Sequence, residues 1–217
     1  MLSKTGFLAN ASEALQNAIE NLASELTLGP GDVLFEQGDD GDALFAILSG
    51  SLEISVVSED GRKLSLDVLK DGDMIGEIAF FDPGVRTATA TALADTRLFR
   101  IRNRDMAEAI RQSPELGIDM INLAGQRMRW MNSQLSDQVF LPLSARLARK
   151  LIHLTEGGVS ELHMSKSDLA EFMGTTREAV SKTLSDWKRD GVVEAPRGVI
   201  RITDRGALKA LSEPDLF

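Results

Sequence analysis

Two residues nine positions apart, Glu77 and Arg86, have the side chains needed to bind a small oxyanion that carries a neighbouring hydroxyl group. Arg86 supplies a positive charge and a planar fork of N–H donors that matches phosphate-type oxygens. Glu77 can accept a hydrogen bond from a hydroxyl group and can also hold Arg86 in place. Gly76 and Ala79 leave room for backbone N–H groups to approach the anion, and Thr87 adds a hydroxyl. This segment therefore predicts an anion-binding site.

A second set of useful side chains lies further along the chain, around two short predicted helices. Ser165 and Asp168 form a capping box that starts the first helix, and Gly174 ends it. Two short helices joined by a three-to-four-residue turn containing glycine are typical of a helix-turn-helix motif. The N-terminal face of the second helix can read base edges, and nearby groups can hold phosphates. The predicted DNA-contacting residues are Lys166, Thr175, Thr176, Arg177, Glu178, Ser181, Lys182 and Arg197.

The surrounding segments indicate what positions these two sites. Residues 31–102 contain short β segments separated by glycine and aspartate turns, a pattern typical of a small barrel or roll. Residues 192–193 and 199–202 predict a β-hairpin wing beside the second helix. The sequence thus predicts an α+β fold with a β-roll and a winged helix-turn-helix.

A long predicted helix, residues 115–138, joins the two parts, and Pro142 marks its end. Its apolar residues recur in alternating steps of three and four, which is the spacing of a coiled-coil seam. The stripe could pack on its own domain, but it is narrow and flanked by polar residues, which favours a homodimer seam. We predict a β-roll domain at 1–113, a dimerisation helix at 114–139 and a DNA-binding domain at 140–217. The seam residues are Ile121, Ala124, Met128, Met131 and Leu135.

Composition narrows the function classes. The 217-residue chain contains no cysteine, which excludes disulfides, thiolate nucleophiles and cysteine-ligated metal sites. No run approaches the roughly 20 apolar residues of a membrane span, and we expect no signal peptide and a cytoplasmic location. The net charge of −9 is unevenly placed. Residues 1–138 carry 12 basic and 22 acidic residues, whereas residues 139–217 carry 12 and 11, so the C-terminal part can approach DNA.

The second helix carries a family resemblance. Residues 176–182 (TREAVSK) resemble the recognition helix of the cyclic AMP receptor protein (Crp/Fnr) superfamily, and residues 76–88 resemble its phosphate-binding cassette. The resemblance extends over essentially the whole chain. It implies a homodimeric transcriptional regulator that binds a cyclic nucleotide, a palindromic operator in duplex DNA and RNA polymerase, without a metal. Lys182 departs from the usual arginine, so guanine selectivity at that step is expected to be weaker.

The base of the nucleotide is less directly indicated. In bacterial members of this family two adjacent hydroxyl residues on the long helix recognise the adenine amino group, and this chain has Met131 and Asn132 at those positions. Trp130 could stack on a purine or pack at an interface, and Thr87 after Arg86 resembles cyclic-GMP-selective domains. The resemblance favours cyclic AMP, with cyclic GMP close behind. The predicted ligand-binding residues are Gly76, Glu77, Ile78, Ala79, Arg86, Thr87, Arg127, Met131 and Asn132.

Other readings of the same residues remain open. Glu77 and Arg86 could form an internal salt bridge of a roll that binds no nucleotide, and the regulator could respond to a gas, haem, a redox signal or another metabolite. Catalysis is not expected, because the cupin enzymes that share a β-roll scaffold need a metal held largely by histidines inside the barrel. Both histidines, His153 and His163, lie outside the predicted roll.

Overall fold

The computed structural model describes residues 6–61, 63–155 and 160–213, and the chain divides into two compact units, 1–131 and 132–217. The first unit contains an antiparallel β-roll built from two four-stranded sheets, ordered β1-β8-β3-β6 and β2-β7-β4-β5. Its strands are β1 (Ser24–Leu28), β2 (Val33–Phe35), β3 (Ala43–Ser49), β4 (Ser51–Val57), β5 (Lys63–Lys70), β6 (Met74–Ile75), β7 (Thr89–Ala92) and β8 (Thr96–Arg102). Its helices are α1 (Glu13–Leu22), α2 (Ile78–Phe81), α3 (Asn103–Gln112) and the first part of α4 (Glu115–Phe140).

Apolar burial holds the roll together in two layers. The inward faces of the two sheets form one buried cluster, which includes Phe45, Ile54 and Leu98. The outer face of the β1-β8-β3-β6 sheet is covered by α1, α3 and α4, where Leu15, Met106 and other side chains form a second cluster. The β1-β8-β3-β6 sheet therefore packs against helices on its outer face, and α4 is one of them.

Helix α4 has two apolar faces with different environments. Leu116, Met120 and Leu123 are buried in the core of the first unit. Along the predicted seam the side chains are largely exposed, with Ile121 at 66%, Met128 at 64% and Leu135 at 64% of their full accessible surface. One face therefore stabilises the roll, and the other remains as an exposed apolar stripe.

The second unit is a small helical domain with a three-stranded sheet, ordered β10-β11-β9. It contains α5 (Leu143–Leu154), β9 (Glu161–Leu162), α6 (Lys166–Met173), α7 (Arg177–Arg189), β10 (Val193–Glu194), β11 (Ile200–Ile202) and α8 (Arg205–Ser212). Side chains from its helices and sheet form one core, which includes Leu151, Val180 and Trp187.

The predicted α+β fold is confirmed, including the bounds of α7 and the helix break around Pro142. Several elements were not predicted: α1, α2, β1, β9 and α8. The compact units divide after Met131, within α4, whereas the prediction began the C-terminal domain at residue 140. Among the described helices, none has the length and apolar character needed to cross a bilayer.

Candidate functional site

A cavity of about 400 Å³ opens into the β-roll beside helix α4. Its wall combines the segment after β6, residues from both sheets and one side of α4. The lining residues are Phe35, Ile54, Leu66, Asp67, Ile75, Gly76, Glu77, Ile78, Ala79, Val85, Arg86, Thr87, Ala88, Arg127, Trp130 and Met131. A cavity of this size and mixed lining suits a small organic ligand with one charged group.

Arg86 is the main charge in this cavity, and it is 4% exposed. Its guanidinium donates to the carbonyl oxygen of Ala43 at 2.8 Å and lies 4.3 Å from the centre of the Phe35 ring. No ion pair with a carboxylate is formed among the described residues, and its Nε has no hydrogen-bond partner. A buried cation without a counter-ion is unfavourable by itself, so the site favours an anion.

The electrostatic surroundings of Arg86 support this conclusion. Burial lowers the pKa of the Arg86 guanidinium, and the carboxylates of Asp42 and Asp39 oppose that shift without cancelling it. An arginine remains charged at neutral pH even with a lowered pKa. A bound anion would therefore supply the compensating charge that the roll itself provides only from a distance.

The sequence suggested that Glu77 could hold Arg86 in place. Among the described residues, however, Glu77 forms its ion pair with Arg127 and not with Arg86. It is 6% exposed, and its Oε1 lies 3.7 Å from the Nε of Arg127 on α4. The guanidinium of Arg127 in turn lies 4.7 Å from the ring centre of Trp130. The Arg86 guanidinium instead contacts a backbone carbonyl oxygen and the face of the Phe35 ring. Glu77 links the segment after β6 to α4 through Arg127.

Tight backbone packing fixes the position of Arg86. Gly76 has φ = +91°, and a Cβ atom there would lie 2.7 Å from the Ala43 carbonyl oxygen and 2.7 Å from the Arg86 guanidinium. The side chain of Asn103 donates to the carbonyl oxygens of Gly41 at 2.9 Å and Ala79 at 3.4 Å. The segment after β6 is thus held against β3 at the place where the guanidinium passes.

The structure brings eight of the nine sequence-predicted ligand residues together in the cavity wall. They are Gly76, Glu77, Ile78, Ala79, Arg86, Thr87, Arg127 and Met131. The ninth, Asn132, is an exposed residue of the second unit.

Other wall residues were not predicted as ligand contacts. Phe35, Ile54, Leu66 and Asp67 come from strands β2, β4 and β5, which are distant in sequence from residues 76–87. No local motif marks them, because strand pairing alone brings them to the cavity. From the sequence, Trp130 could stack on a purine or pack at an interface. In the structure it lines the cavity.

The helix-turn-helix is built by local capping interactions. The Ser165 side chain accepts from the backbone N–H of Asp168 at 3.2 Å, and the Asp168 side chain accepts from the N–H of Ser165 at 3.0 Å. Gly174 ends α6 in the left-handed conformation, with φ = 58°. Thr176 caps α7 by accepting from the N–H of Ala179 at 3.2 Å. These contacts set the direction in which α7 leaves the turn.

The predicted DNA contacts lie on the surface of the second unit. Val180, Leu184 and Trp187 bury one face of α7 in the core. Arg177, Glu178 and Lys182 are exposed on the same helix, as are Thr176 at its cap and Arg197 in the turn between β10 and β11. Thr175, Ser181 and Lys166 are partly buried.

The cations of this surface fall into two groups among the described residues. Arg177, Lys182, Lys166 and Arg197 form no ion pair with any described carboxylate, so their charges remain available to an external anion. Arg201 is already neutralised, because it bonds to Glu161 and Glu194, each at 2.6 Å, which raises its pKa. The available cations are therefore those of α6, α7 and the wing turn.

Models of two known protein families match the two parts of the chain that contain these sites. Residues 25–113 match the model of the cyclic nucleotide-binding domain, and residues 145–211 match that of the Crp-like helix-turn-helix domain. A CRP-like cAMP-activated global transcriptional regulator from Mycobacterium tuberculosis is 28% identical, with 98% of this chain and 96% of that protein covered. A cyclic AMP receptor protein from Thermus thermophilus is 30% identical, with 84% and 85% covered. The solved structure of a CRP/FNR-family transcriptional regulator, also from Thermus thermophilus, is 26% identical, with a TM-score of 0.77 over 88% of this chain and 99% of that one.

The close packing at Gly76 is testable by substitution with alanine. We expect Gly61→Ala, which introduces a Cβ at φ = +79° with no atom within 4 Å, to lower the free energy of unfolding by about 1–2 kcal/mol. Gly76→Ala should cost about 1–3 kcal/mol more, because its Cβ also displaces Arg86. Urea unfolding followed by circular dichroism measures both. Equal losses in the two variants would contradict the packing described for Arg86.

Proposed function

Because the chain belongs to the Crp/Fnr family of transcriptional regulators, we propose that it is a homodimeric DNA-binding regulator whose activity is controlled by a cyclic nucleotide bound at Arg86. Proteins of this family are regulators that bind DNA rather than enzymes. The observation that carries the proposal is the buried guanidinium of Arg86, which has no carboxylate partner in a cavity large enough for a nucleotide.

The cavity chemistry fits a cyclic phosphodiester with its ribose. The phosphate carries one negative charge, which matches the single uncompensated charge of Arg86 and can use its free Nε. The Glu77 carboxylate, whose Oε1 lies 3.7 Å from the Nε of Arg127, can accept from the ribose 2′-hydroxyl. Thr87 adds a hydroxyl to the same wall.

We favour cyclic AMP as the effector, with cyclic GMP as the second candidate. The two relatives compared above are described as cAMP-activated and as a cyclic AMP receptor protein, and the alignment with the first of them covers 98% of this chain. Phosphate and ribose are identical in the two nucleotides, so Arg86 and Glu77 do not distinguish them. Cyclic GMP is the second candidate because Thr87 after Arg86 resembles the threonine of cyclic-GMP-selective domains.

Helix α4 provides a physical route from ligand to dimer. Arg127, Trp130 and Met131 line the cavity, and the exposed seam residue Met128 lies on the same helical turn. A nucleotide that binds Glu77 would change the Glu77–Arg127 ion pair and the stacking of Arg127 on Trp130. The ligand can shift the equilibrium only if it binds the DNA-competent state more tightly than the other state.

The exposed stripe on α4 supports dimerisation by a second copy of this helix. Ile121, Met128 and Leu135 repeat with the seven-residue spacing of a coiled coil and are all more than 60% exposed in a single chain. A two-fold dimer would present two α7 helices about 34 Å apart to successive major grooves. The operator should then be an inverted repeat, and RNA polymerase is the further partner that we propose. Such a regulator would act in the cytoplasm, where the DNA is.

The ligand proposal is tested by isothermal titration calorimetry with cyclic AMP and cyclic GMP. The wild type should bind at least one of them, and Arg86→Ala should weaken binding by about 30-fold or more, because the phosphate loses its buried charged partner. Arg86→Lys should be intermediate, since it keeps the charge but loses the fork. A wild type that binds neither nucleotide would favour a regulator with another signal.

The DNA proposal predicts different effects for base-reading and phosphate-binding residues. We expect selection from random DNA to yield a palindrome with a half-site resembling TGTGA. Arg177→Ala should cost about 1–3 kcal/mol and relax specificity at one position. Lys166→Ala should weaken binding to all sequences similarly and reduce the salt dependence. If Arg177→Ala left the selected sequence and its affinity unchanged, α7 would not be the reading helix.

The seam predicts that Met128→Glu disrupts the dimer, because two carboxylates would be buried at the interface. Sedimentation equilibrium should show dimerisation weakened by at least about 100-fold. Asn122→Glu adds the same charge at an exposed position of α4 outside the seam and should leave the dimer intact. Equal behaviour of the two variants would place the interface elsewhere.

A further inference from the structure

The outer face of the wing sheet carries a row of three charged side chains, one from each strand. Glu194 of β10 pairs in register with Arg201 of β11, and Arg201 pairs with Glu161 of β9. Ile200 and Ile202, on either side of Arg201, are buried in the core of the second unit. Because successive residues of a strand point to opposite faces, the three charged side chains lie together on the exposed face.

Both carboxylates of this row bind the same guanidinium. Arg201 donates from Nε to Glu161 and from Nη1 to Glu194, each at 2.6 Å. Between 39% and 52% of each of the three side chains is accessible. A single exposed ion pair contributes little to stability, but a guanidinium held by two carboxylates forms a small network with defined geometry. The row therefore holds its cation in place and carries one more negative than positive charge.

The row lies at the base of the wing tip. The pair of Glu194 and Arg201 is the last of the β10–β11 ladder before the turn. That turn carries Arg197, which is exposed and forms no ion pair with any described carboxylate. The wing thus presents an available cation at its tip and a net negative row on the sheet face beside the tip.

This arrangement matters for DNA because affinity for phosphate does not depend on sequence. Each cation that contacts the backbone adds affinity for every duplex. An available arginine on the sheet face would let a duplex lie along that face, in orientations in which α7 reads no base edges. Repulsion built against such unwanted complexes is one of the two ways in which a protein gains specificity.

We propose that Glu161 and Glu194 are specificity-determining residues that neutralise Arg201 and exclude the phosphate backbone from the outer face of the wing sheet, which rests on the DNA binding proposed above for the second unit. Contact with DNA is then restricted to α6, α7 and the wing tip. The two carboxylates act through Arg201 and touch no DNA themselves.

A purely structural role for the row is the alternative. Strand β9 contains two residues, and the contact between Arg201 and Glu161 joins it to β11. Replacing glutamate with glutamine separates the two roles. Glutamine keeps the length of the side chain and a hydrogen-bond acceptor for Arg201, and it removes the charge.

The test measures binding of the full chain, with nucleotide present, to a selected operator and to a duplex of scrambled sequence by fluorescence anisotropy at several salt concentrations. We expect Glu161→Gln/Glu194→Gln to bind the scrambled duplex about 3- to 10-fold more tightly than the wild type. The slope of log affinity against log salt should become steeper by about one, as for one added phosphate contact. Operator affinity should rise by a smaller factor, because α7 fixes the orientation of that complex, so the ratio of operator to scrambled affinity falls.

Asp186→Asn/Asp190→Asn is the matched control. It also removes two carboxylates that pair with one arginine, Arg189, at the C-terminal end of α7. Arg189 lies about 18 Å along the helix from Arg177, which exceeds the screening length of about 8–10 Å at moderate salt. This variant should keep the wild-type ratio and salt dependence.

A triple variant tests whether the gain requires the cation. Glu161→Gln/Glu194→Gln/Arg201→Gln removes the carboxylates and leaves no guanidinium to release, so its salt dependence should match that of the wild type. If the double variant loses the wild-type circular dichroism spectrum, Glu194→Gln alone keeps the contact to β9 and should shift the ratio in the same direction by a smaller factor.

The inference fails if the double variant binds scrambled DNA with wild-type affinity and salt dependence, because the row would then have a structural role only. Equal gains on operator and scrambled DNA, or the same gains in the matched control, would also overturn it, since the carboxylates would then act only through net charge. A wild type that binds neither duplex refutes the proposed DNA binding itself, and this inference with it.

Discussion

The buried guanidinium of Arg86 is the constraint on which the ligand site of the first unit depends. The roll surrounds it with an aromatic face and backbone carbonyls but places no described carboxylate in direct contact with it. The cost of burying this charge is tolerable in a marginally stable protein only where something offsets it. A phosphate bound beside Arg86 would offset this cost directly, and the buried charge would then contribute to ligand affinity.

Helix α4 takes part in two interactions on different faces. One face is fixed in the core of the roll by Leu116, Met120 and Leu123, and its neighbouring turns supply Arg127 and Trp130 to the cavity. The seam side chains are exposed. A change at the Glu77–Arg127 contact therefore acts on the helix that we propose as the dimer interface.

Local motifs in the sequence predicted the parts of each site whose residues are close in the chain. The caps of α6 and α7, the turn at Gly174 and the segment from Gly76 to Thr87 follow from residue types at short spacing. The far wall of the cavity was not predictable in this way. Ile54 and Asp67 reach it through strand pairing and a bulge, and neither leaves a local signal. The same reason explains the partner of Glu77: the choice between Arg86 and Arg127 depends on how α4 packs against the roll, which spacing along the chain does not specify.

We propose that occupancy of the Arg86 cavity and binding of DNA by α7 are coupled. Linkage requires this coupling to be reciprocal, so the most direct measurement determines nucleotide affinity with and without a selected operator, and operator affinity with and without the nucleotide. We expect nucleotide and operator each to tighten binding of the other by the same factor, about 5- to 150-fold for typical coupling free energies. Nucleotide and operator affinities that do not depend on each other would contradict it.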